Sequence, residues 1–476
     1  MTLLAPTSSA HHFHPTILRE YDIRGIIGDT LHEADAYAIG QTFASITRDA
    51  SGKANPVIAI GRDGRLSSPA LSDALAQGAQ AAGAHVVRIG VGPTPMLYFA
   101  VYHLQADAGV MITGSHNPPN YNGFKMMLGK ASFFGQSIRD LGARAAHGPL
   151  YNDEGSSTDI AVFDAYVTAL LNASRLTDKP LQLAWDAGNG AAGDVVEQLA
   201  GQLAAHGYRS NTLFTTIDGS FPNHHPDPSM PENLRDLQQC VNDNHCQLGL
   251  AFDGDGDRLG AVDDLGRAIT SDHLLMLFAH QVLRESTHAT IIADVKTSQS
   301  VFDDISQRGG KAMMWKTGHS HIKTKMKEVG AAFAGEASGH IFFADRYYGF
   351  DDGLYAALRL IEIVSALDEP LSAVIDRLPR AHSTPEIRID CAEERKFTII
   401  TELQQKLRDE HIAFNDIDGI RATTPDGWWL LRASNTQAAL IARCESATPE
   451  GLARLTTQLT QLLSHYQLQI GSNHGH

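Results

Sequence analysis

One local pattern occurs three times along the chain and constrains its fold more than any other feature. A short apolar strand leads into a polar loop, a helix, a glycine and a second strand. The first strands of the three copies begin at Val57, Leu181 and Thr290, a spacing of roughly one small domain. We predict the corresponding helices over about 69–82, 193–205 and 299–308. Strand–helix–strand units form right-handed crossovers, which predicts parallel or mixed sheets with helices on both faces.

The length of the chain requires several such units. A single hydrophobic core rarely extends beyond about 250–300 residues, and this chain has 476. From about residue 380 onward the repeated pattern gives way to short strands and two helices. We therefore predict an α/β protein with three similar domains built on mixed sheets and a smaller C-terminal α+β domain. The predicted boundaries are 1–159, 160–267, 268–379 and 380–476.

Composition and charge exclude several classes of function. The formal net charge of −16 argues against nucleic acid or an anionic membrane as the main partner, although a small anionic substrate is allowed. Four scattered cysteines without a CxxC pair indicate neither a disulfide framework nor a zinc site. The first residues lack the basic segment of a secretory signal, and no run of 18 apolar residues is present to span a bilayer. We expect a cytoplasmic protein.

The serine loop, residues 111–118 with the sequence MITGSHNP, follows the apolar run Ala108–Ile112. Such a run predicts a buried strand, and the Gly, Asn and Pro residues predict a sharp turn at its end. The turn raises the hydroxyl of Ser115 out of the sheet end, with His116 beside it and Lys125 ten residues further on. A serine presented in this way is a candidate nucleophile or phosphate carrier. From this motif alone, a plain serine turn is an equally good interpretation.

The metal loop carries three carboxylates, Asp253, Asp255 and Asp257, separated by glycines and preceded by an apolar strand. Two unit charges about 5 Å apart repel by roughly 3 kcal/mol at an effective dielectric constant of about 20, so this loop needs a cation or must give up a charge. A donor set made of oxygens favours Mg²⁺, Mn²⁺ or Ca²⁺ over zinc. An EF-hand does not fit, because Arg258 stands where that loop needs glycine and a strand precedes it where a helix should.

The sugar loop contains Glu336, Ser338 and His340, separated by small residues, after another short apolar run. These side chains offer acceptors and donors suited to adjacent sugar hydroxyls. The pattern by itself is weak, because a loop with a helix cap explains it equally well.

The phosphate loop is a stronger pattern. Arg432, Ser434, Asn435 and Thr436 lead out of a predicted strand and supply several donors that can converge on one tetrahedral oxyanion. Arg443 is close enough in sequence to provide a second cation. The alternative is a polar hairpin turn.

The four motifs together resemble those of the α-D-phosphohexomutase superfamily. They occur in that family's order: Thr-Gly-Ser-His-Asn-Pro, Asp-Gly-Asp-Gly-Asp-Arg, Gly-Glu-x-Ser-Gly-His and Arg-x-Ser-Asn-Thr. The resemblance covers about residues 17–465, and the serine and sugar loops are most similar to the bacterial phosphomannomutase/phosphoglucomutase branch. It implies four domains around a central cleft, three of them α/β and one α+β.

The resemblance also implies roles for individual residues. Ser115 would be the phosphoserine, and Asp253, Asp255 and Asp257 would bind one Mg²⁺ together with a phosphate oxygen on Ser115. Glu336 and Ser338 would hold sugar hydroxyls, and residues 432–436 would hold the phosphate that does not react. Arg258 falls where the family places a further substrate contact. Counting the residues of the sugar loop and the phosphate loop, the candidate substrate-binding residues are Tyr21, Arg24, Lys296, His319, Glu336, Ser338, His340, Arg432, Ser434, Asn435, Thr436 and Arg443.

The implied reaction is a two-step phosphoryl transfer that interconverts hexose 1-phosphate and hexose 6-phosphate of mannose, glucose or both. Phospho-Ser115 gives its phosphoryl group to the sugar phosphate, and the resulting hexose 1,6-bisphosphate returns a phosphoryl group from its other end. This bisphosphate would also act as an activator. Positive charge from Mg²⁺, Arg258 and Lys125 would stabilise the transition state. Either His116 or Lys125 could be the general base, and the sequence does not choose between them.

Two other functions are weighed against this one. A metal-dependent phosphatase using Ser115 would release inorganic phosphate, but it has no need of a second phosphate loop. A non-catalytic Ca²⁺ or sugar-phosphate binding protein has no need of an intact Ser115 beside three intact aspartates. The sequence leaves the preferred sugar open among mannose, glucose and glucosamine. We expect a monomer whose partners are hexose phosphates, without nucleic acid or membrane.

Overall fold

The described part of the chain folds into four sheets, each with its own helices. The computed structural model describes residues 10–148, 150–177, 179–435 and 438–468. We call the four sheets with their helices domains I to IV, in chain order. Among the helices of these residues, none is both long and apolar enough to cross a membrane.

Domain I is a mixed sheet with helices on both faces. In chain order it contains β1 Ile23–Ile26, α1 Glu33–Ser51, β2 Val57–Arg62, α2 Ser68–Ala81, β3 His85–Val91, α3 Thr94–His103, β4 Ala108–Ile112, β5 Tyr121–Leu128, β6 Ala131–Phe133, α4 Gln136–His147 and β7 Ser156–Asp159. The strand order is β1-β5-β4-β2-β3-β7, with β6 paired to β5. Ile58 and Ile60 of β2 pack with apolar residues of α1 and α2, whereas Ala59 packs on the other side with α3. This alternation follows from the strand period of two and buries β2 on both faces.

Domains II and III are built in a similar way. Domain II contains α5 Phe163–Ala173, β8 Gln182–Asp186, α6 Gly193–Ala204, β9 Arg209–Leu213, a 3₁₀ turn Pro231–Leu234, α7 Arg235–Asn244, β10 Leu248–Phe252, β11 Leu259–Asp263 and β12 Ala268–Ile269. Domain III contains α8 Ser271–Glu285, β13 Thr290–Asp294, α9 Gln299–Gln307, β14 Lys311–Trp315, α10 His319–Val329, β15 Phe333–Gly335, β16 Ile341–Phe343, α11 Gly353–Ser365 and α12 Leu371–Arg377. Their strand orders are β12-β11-β10-β8-β9 and β14-β13-β15-β16. Because β12 pairs with β11, the sheet of domain II extends to Ile269, past the predicted boundary at 267; the domain boundaries themselves remain predictions.

The three α/β domains share one strand plan. In each, a central strand (β2, β8 or β13) runs parallel to both of its neighbours: β3 and β4, β9 and β10, or β14 and β15. The second-named neighbour then pairs antiparallel with the next strand of the chain. The helices α2, α6 and α9 begin and end within one residue of the predicted ranges. The threefold pattern of the sequence is therefore confirmed.

This plan brings the polar loops to equivalent positions. The strands β4, β10 and β15 correspond to one another, and they lead directly into the serine loop, the metal loop and the sugar loop. Ligands of open α/β sheets bind beyond the carboxyl ends of their strands. The repeat thus places three of the four motifs at the corresponding edge of three sheets.

Domain IV is an antiparallel sheet covered by two long helices. It contains β17 His382–Ser383, β18 Ile387–Asp390, α13 Glu393–Asp409, β19 Phe414–Asn415, β20 Ile420–Thr424, β21 Gly427–Ala433, β22 Ala439–Ser446 and α14 Pro449–Ser464. The strand order is β17-β22-β21-β20-β19, with β18 paired to β22. The phosphate loop joins β21 to β22.

The core between domains I, II and III is centred on α11, whose residues are all buried. This helix packs against α5 and α8, and its apolar side chains belong to one cluster that also includes residues of α3. Arg359 within it is fully buried and paired with Asp345 at 2.9 Å. The shared core holds the three α/β domains against each other, while domain IV has a core of its own.

Candidate active site

Loops from all four domains face one cleft. Its lining includes Ser115 of domain I, Arg258 of domain II, Glu336 of domain III and Arg432 of domain IV. The other candidate residues on its wall are Tyr21, Arg24, His116, Lys125, Lys296, His319, Ser338, His340, Ser434, Asn435 and Arg443. The three aspartates of the metal loop are fully buried beside Ser115. Thr436 lies outside the described residues.

The backbone of the serine loop presents Ser115 in an uncommon conformation. Ser115 has a φ of +48°, in the left-handed region that costs a residue with a Cβ about 1–3 kcal/mol. Its Oγ donates a hydrogen bond to Oδ2 of Asp253 at 2.9 Å and lies 3.2 Å from Nδ1 of His116. The metal loop approaches so closely that a Cβ on Gly254 would lie 2.4 Å from the carbonyl oxygen of Ser115. The hydroxyl is therefore held directly against the aspartate loop.

Arg65 holds the serine loop in place, and the sequence analysis did not identify it. Its buried guanidinium donates at 2.6–3.0 Å to the backbone carbonyls of Ser115, Asn117 and Pro118 in the loop and of Tyr121 just beyond it. Asp63 pairs with Nε of Arg65 at 3.2 Å and also accepts a hydrogen bond from a backbone N–H of the loop. The available signal was the Arg-Asp-Gly-Arg stretch at the carboxyl end of the first repeated strand.

Asp253, Asp255 and Asp257 form a group that could hold a metal ion. Each is completely buried, and one ligand oxygen from each lies within 4.8 Å of the others. Nζ of Lys125 donates to Oδ2 of Asp255 at 2.7 Å and to Oδ2 of Asp257 at 2.5 Å. The other oxygen of Asp255, Oδ1, has no hydrogen-bond partner among the described residues. Buried oxygen donors with an unsatisfied carboxylate fit a hard divalent cation such as Mg²⁺.

The protonation states around Ser115 follow from burial and charge. Burial, together with the charge of Asp255, raises the pKa of Asp253 well above its ordinary value. Burial, together with the charge of Arg258, holds the pKa of His116 well below its usual range, so this imidazole is neutral. Burial alone would lower the pKa of Lys125, but the neighbouring aspartates outweigh it and raise the pKa, so the ammonium stays charged.

Glu336, Ser338 and His340 form a connected set on the sugar loop. Oε1 of Glu336 accepts from the backbone N–H of Gly318 at 2.6 Å, and Oγ of Ser338 lies 2.9 Å from Nδ1 of His340. Nε2 of His340 lies 3.3 Å from Oδ1 of Asp257, which links the sugar loop to the metal loop. Burial would lower the pKa of His340, but the charge of Asp257 outweighs it and raises the pKa to about 9. At neutral pH this imidazole is a charged donor.

His319 is oriented by a carboxylate that the sequence analysis also missed. Its Nδ1 lies 3.3 Å from Oδ2 of the fully buried Asp351, and its ring stacks on His340 with the centroids 5.5 Å apart. Nζ of Lys323 donates to the other oxygen of Asp351 at 2.7 Å. No pattern around Asp351 in the sequence distinguishes it from other acidic residues.

Arg432 of the phosphate loop is buried, and its guanidinium nitrogens differ in their hydrogen bonding. Its Nε donates to Oδ2 of Asp418 at 3.0 Å, whereas its Nη2 has no hydrogen-bond partner among the described residues. Asn435 donates from Nδ2 to the hydroxyl of Tyr21 at 2.6 Å. A buried guanidinium group with an unsatisfied N–H is suited to an anionic ligand.

Two further cations of the predicted set join domain IV to domain III. Nζ of Lys296 donates to Oε2 of Glu386 at 3.0 Å. Arg443 donates from Nη1 to the carbonyl oxygen of Lys296 at 2.6 Å and from Nη2 to Asp272 at 3.1 Å. Arg443 therefore has a contact role between the domains, and its role as a second phosphate-binding cation remains a prediction.

Comparison with known protein families matches the chain along most of its length. Residues 15–142, 164–266 and 270–382 match the models of phosphoglucomutase/phosphomannomutase alpha/beta/alpha domains I, II and III. Residues 386–462 match the C-terminal domain of the same family. The chain belongs to the phosphoglucomutase/phosphomannomutase family. Its predicted place in the α-D-phosphohexomutase superfamily is confirmed.

Individual relatives of the phosphoglucomutase/phosphomannomutase family match nearly end to end. A phosphomannomutase/phosphoglucomutase of Pseudomonas aeruginosa is 44% identical over 456 residues, which cover 96% of each chain. A phosphoglucomutase of Neisseria gonorrhoeae is 45% identical over 451 residues, covering 94% of this chain and 96% of the relative. The crystal structure of a family member from Burkholderia thailandensis has a TM-score of 0.88 at 42% identity, covering 97% of this chain and 99% of the other. The predicted fold class and the predicted class of enzyme, a phosphohexomutase, are confirmed. The roles of the individual site residues remain predictions.

Proposed function

We propose that this phosphohexomutase interconverts the 1-phosphates and 6-phosphates of glucose, mannose or both through phospho-Ser115 and a hexose 1,6-bisphosphate. The observation that carries the proposal is the arrangement of two phosphate-handling groups in one cleft. Oγ of Ser115 lies 2.9 Å from Asp253 of the metal loop, and Nη2 of Arg432, which has no hydrogen-bond partner within the described part of the chain, belongs to the C-terminal domain. One group suits the phosphate that transfers, and the other suits the phosphate that stays on the sugar.

Each step exchanges one P–O bond for another. The free hydroxyl of the sugar phosphate attacks the phosphorus of phospho-Ser115 and gives its proton to a base, while the bond from phosphorus to Oγ breaks and Oγ takes up a proton. The bisphosphate then turns over, and Oγ of Ser115 gives up its proton and attacks the phosphate at the other end, whose sugar oxygen leaves and takes up a proton. The enzyme ends phosphorylated, as it began, and the sugar has changed its phosphate position.

The chain's own residues supply charge and proton transfer. Asp253, Asp255, Asp257 and a phosphate oxygen on Ser115 would hold one Mg²⁺, which supplies positive charge to the transferring phosphoryl group. The charged ammonium of Lys125 and the guanidinium of Arg258 add to that charge. Of the two candidate bases, His116 fits better than Lys125, because its imidazole is neutral and 3.2 Å from Oγ of Ser115.

The remaining site residues bind and orient the sugar. Glu336 accepts hydrogen bonds from sugar hydroxyls, Ser338 donates to them or accepts from them, and the charged His340 donates to them. Arg432, Ser434, Asn435 and Thr436 hold the phosphate that does not react. The further contacts we propose are Tyr21, Arg24, Lys296, His319 and Arg443. Hexose 1,6-bisphosphate restores the phosphate on Ser115 when it is lost and therefore acts as an activator. We also propose that the protein is a cytoplasmic monomer.

The direct test is ³¹P NMR of the Mg²⁺-loaded protein with glucose 1-phosphate or mannose 1-phosphate and a trace of the matching 1,6-bisphosphate. Growth of the 6-phosphate signal from both sugars supports dual specificity, and growth from one alone names the substrate. The Ser115→Ala variant under the same conditions is the matched control and should form no 6-phosphate. Growth of inorganic phosphate without isomer would replace the proposal with the phosphatase alternative.

A further inference from the structure

The dipeptide Thr317–Gly318 at the start of α10 is contacted by three domains. The carbonyl oxygen of Thr317 accepts from the hydroxyl of Tyr21 in domain I at 2.9 Å. The N–H of Thr317 donates to Oδ2 of Asp418 in domain IV at 3.1 Å. The next N–H, that of Gly318, donates to Oε1 of Glu336 at 2.6 Å. We call these five residues the Thr317 junction.

Asp418 connects the Thr317 junction to the phosphate loop. It lies in the turn between β19 and β20, and its Oδ2 accepts both from the N–H of Thr317 and from Nε of Arg432 at 3.0 Å. Because Asp418 binds Nε, Nη2 of Arg432, which no residue in the described ranges contacts by a hydrogen bond, can bind an anion. Arg432 can therefore bind a phosphate and keep its bond to Asp418 at the same time.

We propose that Asp418 is a positioning residue that joins the phosphate-binding arginine to the sugar-binding Glu336 and keeps domain IV closed over the bisphosphate. The proposal rests on the proposed function. A mutase of this kind must retain its bisphosphate while the sugar turns over, so the domain carrying the phosphate loop must stay in contact with the domain carrying the sugar loop. Lys296 and Arg443 also connect the two domains, and Asp418 adds a contact directly beside the phosphate-binding arginine, through one carboxylate oxygen and the peptide N–H of Thr317.

The chain offers a matched control in the same turn. Asp416 pairs with Arg408 at 3.1 Å, and both side chains are about half exposed. Exposed ion pairs contribute little to stability. Replacing Asp416 by alanine therefore alters the charge and the turn without touching the Thr317 junction.

The experiment is a single turnover of the phosphorylated enzyme with labelled glucose 1-phosphate or mannose 1-phosphate, followed by rapid filtration to separate free from bound bisphosphate. We expect Asp418→Ala to release at least about tenfold more bisphosphate per turnover than wild type and to raise KM by about 10- to 100-fold, the effect of losing hydrogen bonds to a charged group. Added bisphosphate should restore most of its kcat, a response that a merely structural defect would not show. Asp416→Ala should behave as wild type.

A second variant keeps the test decisive if Asp418→Ala folds poorly. Asp418→Asn retains the shape and one acceptor oxygen but loses the charge beside Arg432, so we expect a severalfold rise in released bisphosphate. If either folded variant releases no more bisphosphate than Asp416→Ala and has the same KM, the proposal is overturned. If wild type itself forms no 6-phosphate from either sugar, the proposed function fails, which is a separate result.

Discussion

The hydrogen bonds by which Arg65 fixes the serine loop can be tested with the conservative substitution Arg65→Lys. The guanidinium donates to the carbonyl oxygens of Ser115 and Asn117 at 2.6 Å each, of Pro118 at 2.7 Å and of Tyr121 at 3.0 Å. These acceptors are spread around a planar fork of donors. A lysine ammonium concentrates its donors on one nitrogen and can serve at most about two of them.

The magnitude follows from the carbonyls that lose their donor. Two or three unsatisfied backbone acceptors at about 1–3 kcal/mol each give a destabilisation of about 2–9 kcal/mol. The same contacts keep Ser115 at its positive φ of +48°, a conformation that relaxes once they are lost. We therefore expect kcat to fall by about 100-fold, the usual effect of displacing a reacting group by about 1 Å, while KM changes by much less.

The assay compares Arg65→Lys with Arg62→Lys, at the end of the same strand. Arg62 is half-buried, its guanidinium contacts the carbonyl oxygen of Asp63 at 3.5 Å, and among the described residues it donates to none of the four carbonyls that Arg65 holds. Thermal unfolding and steady-state kinetics should separate the two variants, with Arg62→Lys close to wild type. If Arg65→Lys had the Tm and kcat of Arg62→Lys, Arg65 would not hold the serine loop as we describe.

Three further predictions follow from the site and its surroundings. Arg432→Ala should raise KM for hexose phosphate by about 10- to 100-fold with a smaller change in kcat, and an unchanged KM in steady-state kinetics would contradict the phosphate role. Removal of divalent cations with EDTA should abolish turnover and lower the Tm, and Mg²⁺ should restore both; a Tm that does not respond to Mg²⁺ would argue against the aspartate group as the metal site. Burial raises the pKa of the Asp352 carboxyl to about 7. The folded protein therefore binds the proton of this carboxyl more tightly than the unfolded chain does. The stability that the bound proton contributes is lost as the pH rises through about 7. Asp352→Asn removes this titration, so the Tm of the variant relative to wild type should rise between about pH 5 and about pH 8, and a constant difference would refute the assignment.

The fold was predictable because it is encoded locally. The apolar strands beginning at Val57, Leu181 and Thr290 and the helices after them are defined by short-range periodicity and by glycines at helix ends. The serine, metal and sugar loops were likewise visible as short motifs. Their equivalent placement after β4, β10 and β15 could also have been deduced by aligning the three copies, since each motif follows the third strand of its copy.

The contacts that hold these loops were not predictable, because they join residues far apart in the sequence. Arg65 reaches a loop about 50 residues later, and Asp418 reaches the backbone of Thr317 in another domain. Such contacts depend on how strands, helices and loops pack within and between the domains, which no local pattern specifies. The role of Asp351, which orients His319, could not be predicted from the sequence for the same reason.

Passage of the phosphoryl group through Ser115 can be followed with a radioactive label. The protein would be charged with hexose 1,6-bisphosphate carrying ³²P, freed of excess label, and chased with unlabelled glucose 1-phosphate or mannose 1-phosphate. We expect label on the peptide that contains Ser115, no label on the Ser115→Ala variant, and complete transfer of the label to hexose phosphates during the chase. Label on another residue, or its release as inorganic phosphate, would show that Ser115 is not the phosphoryl carrier of a mutase.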